Sequence, residues 1–204
     1  MDIIIIIFFS YICGSIPFAY LLTKFFGGKD IRKIGSGNIG ATNVLRTGNK
    51  YLAALTLALD SLKGYIPVTI TQYFFPELVY LSALATFLGH IFPLWLKFKG
   101  GKGVATYLGV LIALSFHLSL LFVIVWIVVS LIFKFSSLSS MFGSLTVLVV
   151  NFLRETVISI DQSITPVTTV VNSKILFIFF ILIIFTHRKN ILNLKNKTEQ
   201  KIKI

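Results

Sequence analysis

Residues 104–133 read VATYLGVLIALSFHLSLLFVIVWIVVSLIF, and this apolar stretch decides how often the chain crosses a membrane. As one straight helix it would be about 45 Å long, whereas the hydrocarbon of a bilayer is ~30 Å thick. Divided near His117, the stretch gives two short spans or a helical hairpin. The number of passages here sets the side of the membrane on which every later residue lies.

The composition indicates a membrane protein. Hydrophobic residues make up 56% of the 204 residues, and the mean hydropathy is +0.91. Soluble domains use roughly 45–50% apolar residues, so the bilayer is the expected solvent. Lys and Arg number 19 against 7 Asp and Glu, as a polytopic protein requires at one membrane face. A nucleic-acid-binding protein would not need these apolar runs, so no nucleic acid is expected as a partner.

Apolar runs predict an all-α, polytopic membrane helix bundle of about seven transmembrane segments, forming a single domain over 1–204. The first run follows Met1-Asp2 with no basic residue before it, which is the reverse of a cleaved signal peptide, so a retained helix with an external N-terminus is expected. The candidate spans are 3–22, 52–74, 78–96, 104–116, 118–133, 140–153 and 174–186.

The positive charges favour two passages within 104–133. Of the 19 basic residues, Arg154 and Lys174 then fall on the external face and Lys63 within a span, which leaves 16 on the cytoplasmic face. A single passage would send the basic tail outside, against the positive-inside tendency. The C-terminus is therefore expected in the cytoplasm, and 156–173 as an external loop. The tail after Thr186 is either a disordered orientation signal or a functional segment.

Two glycine-rich segments could cradle a phosphate group. Residues 35–46, GSGNIGATNVLR, contain three glycines that let backbone N–H groups approach an anion, although a plain tight-turn linker would look similar. Residues 97–103, KFKGGKG, place three lysines beside glycines before a helix expected from Val104, where free N–H groups and the helix dipole attract anions. Lys97 and Lys99 also suit a membrane anchor, whereas the glycines around Lys102 do not.

Further polar residues accompany these loops. Serines 136, 137, 139 and 140 form a cluster that the predicted topology puts on the same face as His187. Asp60 and Lys63 lie one helical turn apart within a span, as a structural ion pair or as catalytic groups. His90 is equally a satisfied polar group or a catalyst, and Cys13 is interpreted as an apolar packing residue.

These residues resemble the three signatures of the PlsY family of acyl-phosphate:glycerol-3-phosphate acyltransferases. The resemblance spans nearly the whole chain in the right order, and it departs at Asn193 and Lys197, where the family usually has Arg and Gly. The first signature is matched by 14–17, 30–32, 35–46 and 60–64, the second by 89–93 and 98–106, and the third by 187–191 with Glu199 downstream.

The resemblance implies a cell-membrane enzyme with its site at the cytoplasmic face, which moves a fatty acyl group from acyl phosphate to glycerol 3-phosphate. It implies no cofactor and no metal, and it leaves contact with an acyl-phosphate synthase open. Ser36, Arg46 and Lys102 are expected to be catalytic. Substrate binding is expected of Gly37, Asn38, Gly40, Asn43, Lys50, Gly101, Gly103, Ser137, His187 and Asn190.

Within this set, Ser36 and Asn38 are expected to hold acyl phosphate. Glycerol 3-phosphate is assigned to Arg46, Lys102, Ser137 and His187, with Lys50 assisting and Asn190 ordering the site. Acyl phosphate is a mixed anhydride, so direct attack by the acceptor hydroxyl needs no serine or cysteine nucleophile. Proton transfer to the donor's own phosphate is the accompanying hypothesis.

Two other functions are weighed against this assignment. Acyltransferases that use acyl thioesters commonly pair a His with an Asp five positions on, but Trp95, Phe122 and Leu192 stand five positions after the three histidines. A transporter or channel for a phosphorylated solute would carry polar residues through several spans. These spans are almost entirely Ile, Leu, Val and Phe, which suits an enzyme at the membrane interface better.

Overall fold

The computed structural model describes residues 1–161 and 170–202, and every regular element in them is helical. Two compact units divide the chain, Met1–Ala113 and Leu114–Ile204, called the first and second unit below. The α-helices are α1 Asp2–Ser15, α2 Phe18–Gly27, α3 Ala41–Leu45, α4 Lys50–Phe74, α5 Val79–Ile91, α6 Val104–Leu114, α7 Phe116–Phe133, α8 Ser136–Ile160, α9 Ser173–Thr186 and α10 Arg188–Lys195. Short 3-10 turns occupy Ile31–Lys33, Pro76–Leu78 and Leu94–Leu96.

The predicted span 3–22 lies within one helical stretch, Asp2–Gly27, that is long and apolar enough to cross a membrane, but the helix is interrupted at Ile16 and Pro17. Proline lacks an N–H and disfavours helical geometry in the residue before it, and Ile16 is accordingly extended, with φ −62° and ψ 117°. The Ile16 carbonyl accepts a hydrogen bond from Lys63 Nζ at 2.6 Å. A buried cation thus satisfies a carbonyl at the helix break.

Glycines bring the helices of the first unit into backbone contact. A Cβ on Gly14 of α1 would overlap the Thr86 carbonyl of α5, and one on Gly89 would overlap the Tyr11 carbonyl. Gly109 of α6 meets Ser61 of α4 in the same way. Small residues are the usual means of close helix packing in membranes, because no hydrophobic effect drives apolar helices together there.

The second unit is built on α7, α8 and α9, with α10 after them. Gly143 of α8 lies against the Phe122 ring of α7. A Cβ at this position would stand 2.9 Å from Cε2 of the ring. Asn151 of α8 donates to the Val171 carbonyl at 2.7 Å and to Ser173 Oγ at 2.9 Å, which fixes the start of α9.

The division of 104–133 is confirmed, and it falls at Ser115, between α6 and α7. The predicted external loop is wrong over 156–160, which are the last residues of α8, and 162–169 lie outside the described residues. Within residues 1–161 and 170–202, four helical stretches, or five if the bent pair α9 and α10 is one span, are long and apolar enough to cross a membrane by length and composition. The number seven and the single domain over 1–204 stay predictions.

Candidate active site

Asn43 organises the first glycine-rich loop. Its side chain is 2% exposed, and its Oδ1 accepts a hydrogen bond from the Ser36 amide at 3.0 Å. Its Nδ2 donates to three backbone carbonyls, those of Ile31 at 3.2 Å, Ile34 at 2.9 Å and Asn38 at 2.9 Å. One amide therefore links both ends of the loop, which gives Asn43 a positioning role beside the substrate contact expected from the sequence.

Two glycines of this loop adopt the positive φ that was expected of them. Gly35 has φ +54° and Gly37 has φ +69°, which side-chain-bearing residues rarely adopt. A Cβ on Gly35 would stand 3.1 Å from Cδ of Arg46, so the aliphatic part of that arginine runs along the glycine. Ser36 is exposed, whereas Asn38 and Arg46 are half-buried. Gly40 is the residue immediately before α3.

Arg46 is a cation without an ion-pair partner among residues 1–161 and 170–202. By contrast Arg32, in the same segment, holds Asp30 with a 2.7 Å contact between Nη2 and Oδ2. The hydrogen bonds from Arg32 lower the pKa of the Asp30 carboxyl to about 2, so this carboxylate stays charged and engaged at neutral pH. Arg32 thus neutralises the carboxylate of this segment, so the positive charge of Arg46 is not compensated by Asp30.

The second glycine-rich loop folds back on the end of α5. The Gly100 amide donates to the Ile91 carbonyl at 3.0 Å, and the Gly101 amide donates to the His90 carbonyl at 3.1 Å. Gly103, with φ +83°, lies so close to the Phe87 ring that a Cβ would overlap it. Lys102, between these buried glycines, is half-buried immediately before the first turn of α6.

Both glycine-rich loops lie at the same end of the first unit. Leu96, in the turn that leads into the second loop, belongs to one buried core with Ile31, Ile39 and Val44 of the first-loop segment. Lys50, the first residue of α4, is exposed. The unit therefore presents two glycine-rich backbones, each with a cationic side chain, from one end.

A buried polar cluster lies next to the second loop. Lys63 Nζ and Asp60 Oδ1 are 2.8 Å apart, and their side chains are 4% and 2% exposed. His90 Nδ1 is 3.9 Å from the same carboxylate oxygen and 3.0 Å from Thr106 Oγ1. The expected one-turn pairing of Asp60 with Lys63 is confirmed, and Thr106 is a member that sequence reasoning did not single out.

Glu199 joins several residues of the second unit. Its Oε1 accepts hydrogen bonds from Ser137 Oγ at 2.8 Å and from Asn190 Nδ2 at 2.6 Å. Its Oε2 accepts from Asn193 Nδ2 at 3.3 Å. The tail therefore brings together Ser137 and Asn190, which were predicted site residues. The alternative of a disordered tail is wrong for the described residues up to 202, since the Ile202 amide also donates to the Lys134 carbonyl at 2.7 Å.

His187 is almost fully buried, at 1% exposed. Its Nδ1 is 2.8 Å from the Ile183 carbonyl oxygen, and a carbonyl can only accept, so Nδ1 carries a proton. This contact fixes the ring orientation with Nε2 as its second polar atom. In its neutral form the ring presents Nε2 as an acceptor, and in its protonated form as a donor.

Comparison with known proteins reveals close relatives. A sequence profile of the family described as Glycerol-3-phosphate acyltransferase matches residues 4–197. The glycerol-3-phosphate acyltransferase of Pelagibacter ubique is 50% identical over 204 residues, covering 100% of both chains. Two crystal structures of PlsY (YgiH), an integral membrane glycerol 3-phosphate acyltransferase, are similar at 34% identity. The glycerol 3-phosphate form has a TM-score of 0.86 and covers 100% of this chain and 96% of its own. The lysophosphatidic acid form has a TM-score of 0.84, with coverages of 98% and 95%.

Proposed function

The chain belongs to the glycerol-3-phosphate acyltransferase family, and on that premise we propose that acyl phosphate is its donor and lysophosphatidic acid its product. The reaction transfers the acyl group to the primary hydroxyl of glycerol 3-phosphate and releases inorganic phosphate. The relatives named above include crystal forms with glycerol 3-phosphate and with lysophosphatidic acid, which supports this acceptor and product.

The observation that carries the proposal is the pair of cationic glycine-rich loops at one end of the first unit. Arg46 packs along Gly35, and Lys102 stands between two buried glycines at the start of α6. Both substrates carry phosphate. Glycine-rich backbone and a helix N-terminus bind phosphate through N–H groups, and a nearby cation adds a charge-assisted hydrogen bond.

In the proposed mechanism the acceptor hydroxyl oxygen attacks the carbonyl carbon of acyl phosphate. The bond between this carbon and the bridging phosphate oxygen breaks, and the proton of the hydroxyl ends on the released phosphate. Ser36, Asn38 and the backbone of Gly37 and Gly40 hold the donor phosphate. Arg46 and Lys102 hold glycerol 3-phosphate and stabilise negative charge as it develops.

The other site residues keep the roles assigned from the resemblance. Lys50 assists with the acceptor, and Gly101 and Gly103 supply the backbone beside Lys102. In the second unit, Ser137 and His187 are assigned to glycerol 3-phosphate and Asn190 to ordering its surroundings. Asn43 is assigned to holding the first loop in shape, because its amide is occupied by the loop backbone.

Supplying the three acyl donors separately tests the assignment. Purified protein is given glycerol 3-phosphate with acyl phosphate, acyl-CoA or acyl-carrier protein, and lysophosphatidic acid is measured. We expect product from acyl phosphate alone. Product from acyl-CoA but not from acyl phosphate would overturn the proposed donor. Adding the acyl-phosphate synthase to the same assay would show whether contact between the two enzymes raises the rate.

We propose seven helical segments in the cell membrane, with the N-terminus outside and the active site at the cytoplasmic face. In a cysteine-accessibility scan on a Cys13→Ser background, residues 27–50, 98–103 and the tail should react from inside. Asp161 and Asn172, which flank 162–169, should react from outside. The basis is the 16 to 2 division of basic loop residues. Finding Lys99 and His187 on opposite sides would contradict the topology.

The same Cys13→Ser substitution is expected to keep most of the transferase activity. Cys13 is a half-buried free thiol within α1, and a preformed anhydride makes a covalent acyl-enzyme unnecessary. Initial rates of the substituted and unsubstituted enzymes in the same detergent check this expectation. Loss of turnover in a folded, inserted Cys13→Ser protein would argue for an acyl-cysteine intermediate.

A further inference from the structure

His90 contacts the chain on both sides of Lys102, in the second loop and in α6. Its ring Nε2 faces Gly101 so closely that a Cβ there would overlap it, and its Nδ1 lies 3.0 Å from Thr106 Oγ1 in the first turn of α6. Gly101 directly precedes Lys102, and Thr106 follows it by four residues. A single buried ring, 5% exposed, therefore brackets the segment that carries the cation.

The backbone of His90 adds to the same contact. Its carbonyl accepts from the Gly101 amide at 3.1 Å, and the next carbonyl, that of Ile91, accepts from the Gly100 amide at 3.0 Å. Consecutive glycines have the largest conformational entropy of any residues, so without such contacts the loop would sample many directions for Lys102. The two backbone hydrogen bonds and the His90 ring packed against Gly101 restrict the conformations of the loop.

A buried ion pair is adjacent to the ring. Asp60 Oδ1 is 3.9 Å from His90 Nδ1 and 2.8 Å from Lys63 Nζ, and Lys63 Nζ donates to the Ile16 carbonyl at 2.6 Å. Burying a charged group in a membrane protein costs free energy unless the group is paired. Breaking any of these contacts would therefore be costly, which holds the three side chains in fixed positions. These contacts link the break between α1 and α2 with α4 and the end of α5.

We infer that His90, held by Thr106, is a positioning residue for acyl transfer that aims Lys102 at the substrate phosphate. The inference rests on the proposed function, in which Lys102 binds glycerol 3-phosphate. The contacts of the His90 ring are with the Gly101 backbone and the Thr106 hydroxyl, so in this inference it acts through Lys102. Loosening its ring should therefore weaken phosphate binding through Lys102 while leaving the remaining phosphate contacts unchanged.

Thr106→Val tests the inference, because it removes the hydroxyl that holds the His90 ring and preserves side-chain volume. Binding of glycerol 3-phosphate to the purified full-length protein in detergent is measured by calorimetry for the unsubstituted protein, Thr106→Val, Lys102→Ala and the double variant. We expect Thr106→Val to weaken binding about three- to tenfold, the loss associated with one hydrogen bond. In the Lys102→Ala background the same substitution should change binding less than about twofold.

Thr71→Val is the matched control. Thr71 is a buried threonine of α4 whose hydroxyl donates to the Pro67 carbonyl of its own helix at 2.8 Å. The Thr71→Val substitution should lower the melting temperature as much as Thr106→Val does, and it should leave the binding of glycerol 3-phosphate unchanged. Equal losses from Thr106→Val in both Lys102 backgrounds, or no loss in either, would overturn the role of His90. Unimpaired binding by Lys102→Ala would instead overturn the proposed phosphate site and this inference together.

A pair of substitutions tests the contact between the ring and Gly101. Gly101→Ala is expected to weaken binding about 30-fold or more, since the new methyl group overlaps His90 Nε2 and displaces the loop. Combined with His90→Ala, which removes the ring, Gly101→Ala should cost less than about threefold. An equal cost in both backgrounds would show that the ring does not set the position of the loop.

Discussion

Lys102→Ala is expected to lower acyl transfer ten- to several-hundred-fold while the protein stays folded and inserted. Lys102 is half-buried between Gly101 and Gly103 at the N-terminus of α6, where water competes poorly for the phosphate. A charge-assisted hydrogen bond contributes roughly 1.5–3 kcal/mol, and ~1.4 kcal/mol is a factor of ten in rate, so this loss follows if the contact persists in the transition state. Initial rates at subsaturating glycerol 3-phosphate measure it.

Arg46→Ala should give a loss of the same size, because Arg46 is the corresponding cation of the first loop. Lys195→Ala and Lys201→Ala are the controls. Lys195 is the last residue of α10 and Lys201 is exposed, so both are interpreted as orientation charges. Each should change the rate by no more than a few-fold. If Lys102→Ala resembles these tail variants, the second loop is only a membrane anchor and the phosphate site is misplaced.

Asp60→Ala is expected to cause the largest loss of stability in the first unit. The Lys63 side chain is only 4% exposed, and without Asp60 its ammonium keeps the Ile16 carbonyl as a hydrogen-bond acceptor but loses its counter-ion. Removing one member of a buried ion pair costs about 3–5 kcal/mol, a large part of the total stability of a domain. The yield of folded protein in detergent and its melting temperature should both fall sharply.

Asp30→Ala is the matched control, since it also removes an aspartate paired with a basic residue. The Arg32 and Asp30 side chains are 46% and 27% exposed, and exposed pairs contribute about 0–1 kcal/mol. The melting temperature should therefore change little. Similar melting temperatures for Asp60→Ala and Asp30→Ala would show that the buried charge of Lys63 is solvated by other means.

The sequence located both glycine-rich loops because their demands are local. A short stretch of sequence shows the glycines and the cation of each loop. The structure gives two of these glycines, Gly35 and Gly103, a positive φ. The family resemblance is confirmed by the profile match over residues 4–197. The pairing of Asp60 with Lys63 could also be predicted, since helix geometry places residues three apart on one face.

Contacts between distant residues could not be predicted in this way. The hydrogen bonds of Glu199 with Ser137 and of His90 with Thr106 span 62 and 16 residues of the chain. The role of Asn43 depends on the path of a loop whose backbone carbonyls look alike in every sequence. Hydropathy also merges α1 with α2, because Ile16 and Pro17 interrupt the helix without interrupting the apolar run.

The glycine crossing between α4 and α6 limits how the length of this chain can vary. Ser61 of α4 meets Gly109 backbone to backbone, so α4 cannot slide or turn without a clash. One residue inserted between Lys50 and Asp60 would rotate the start of α4 by about 100° relative to that crossing and carry the first glycine-rich loop with it. A seven-residue insertion, close to two full turns, would nearly restore the direction and shift the loop by about 10 Å. Helix α4 should therefore tolerate exchanges on its exposed face far better than any gain or loss of a residue.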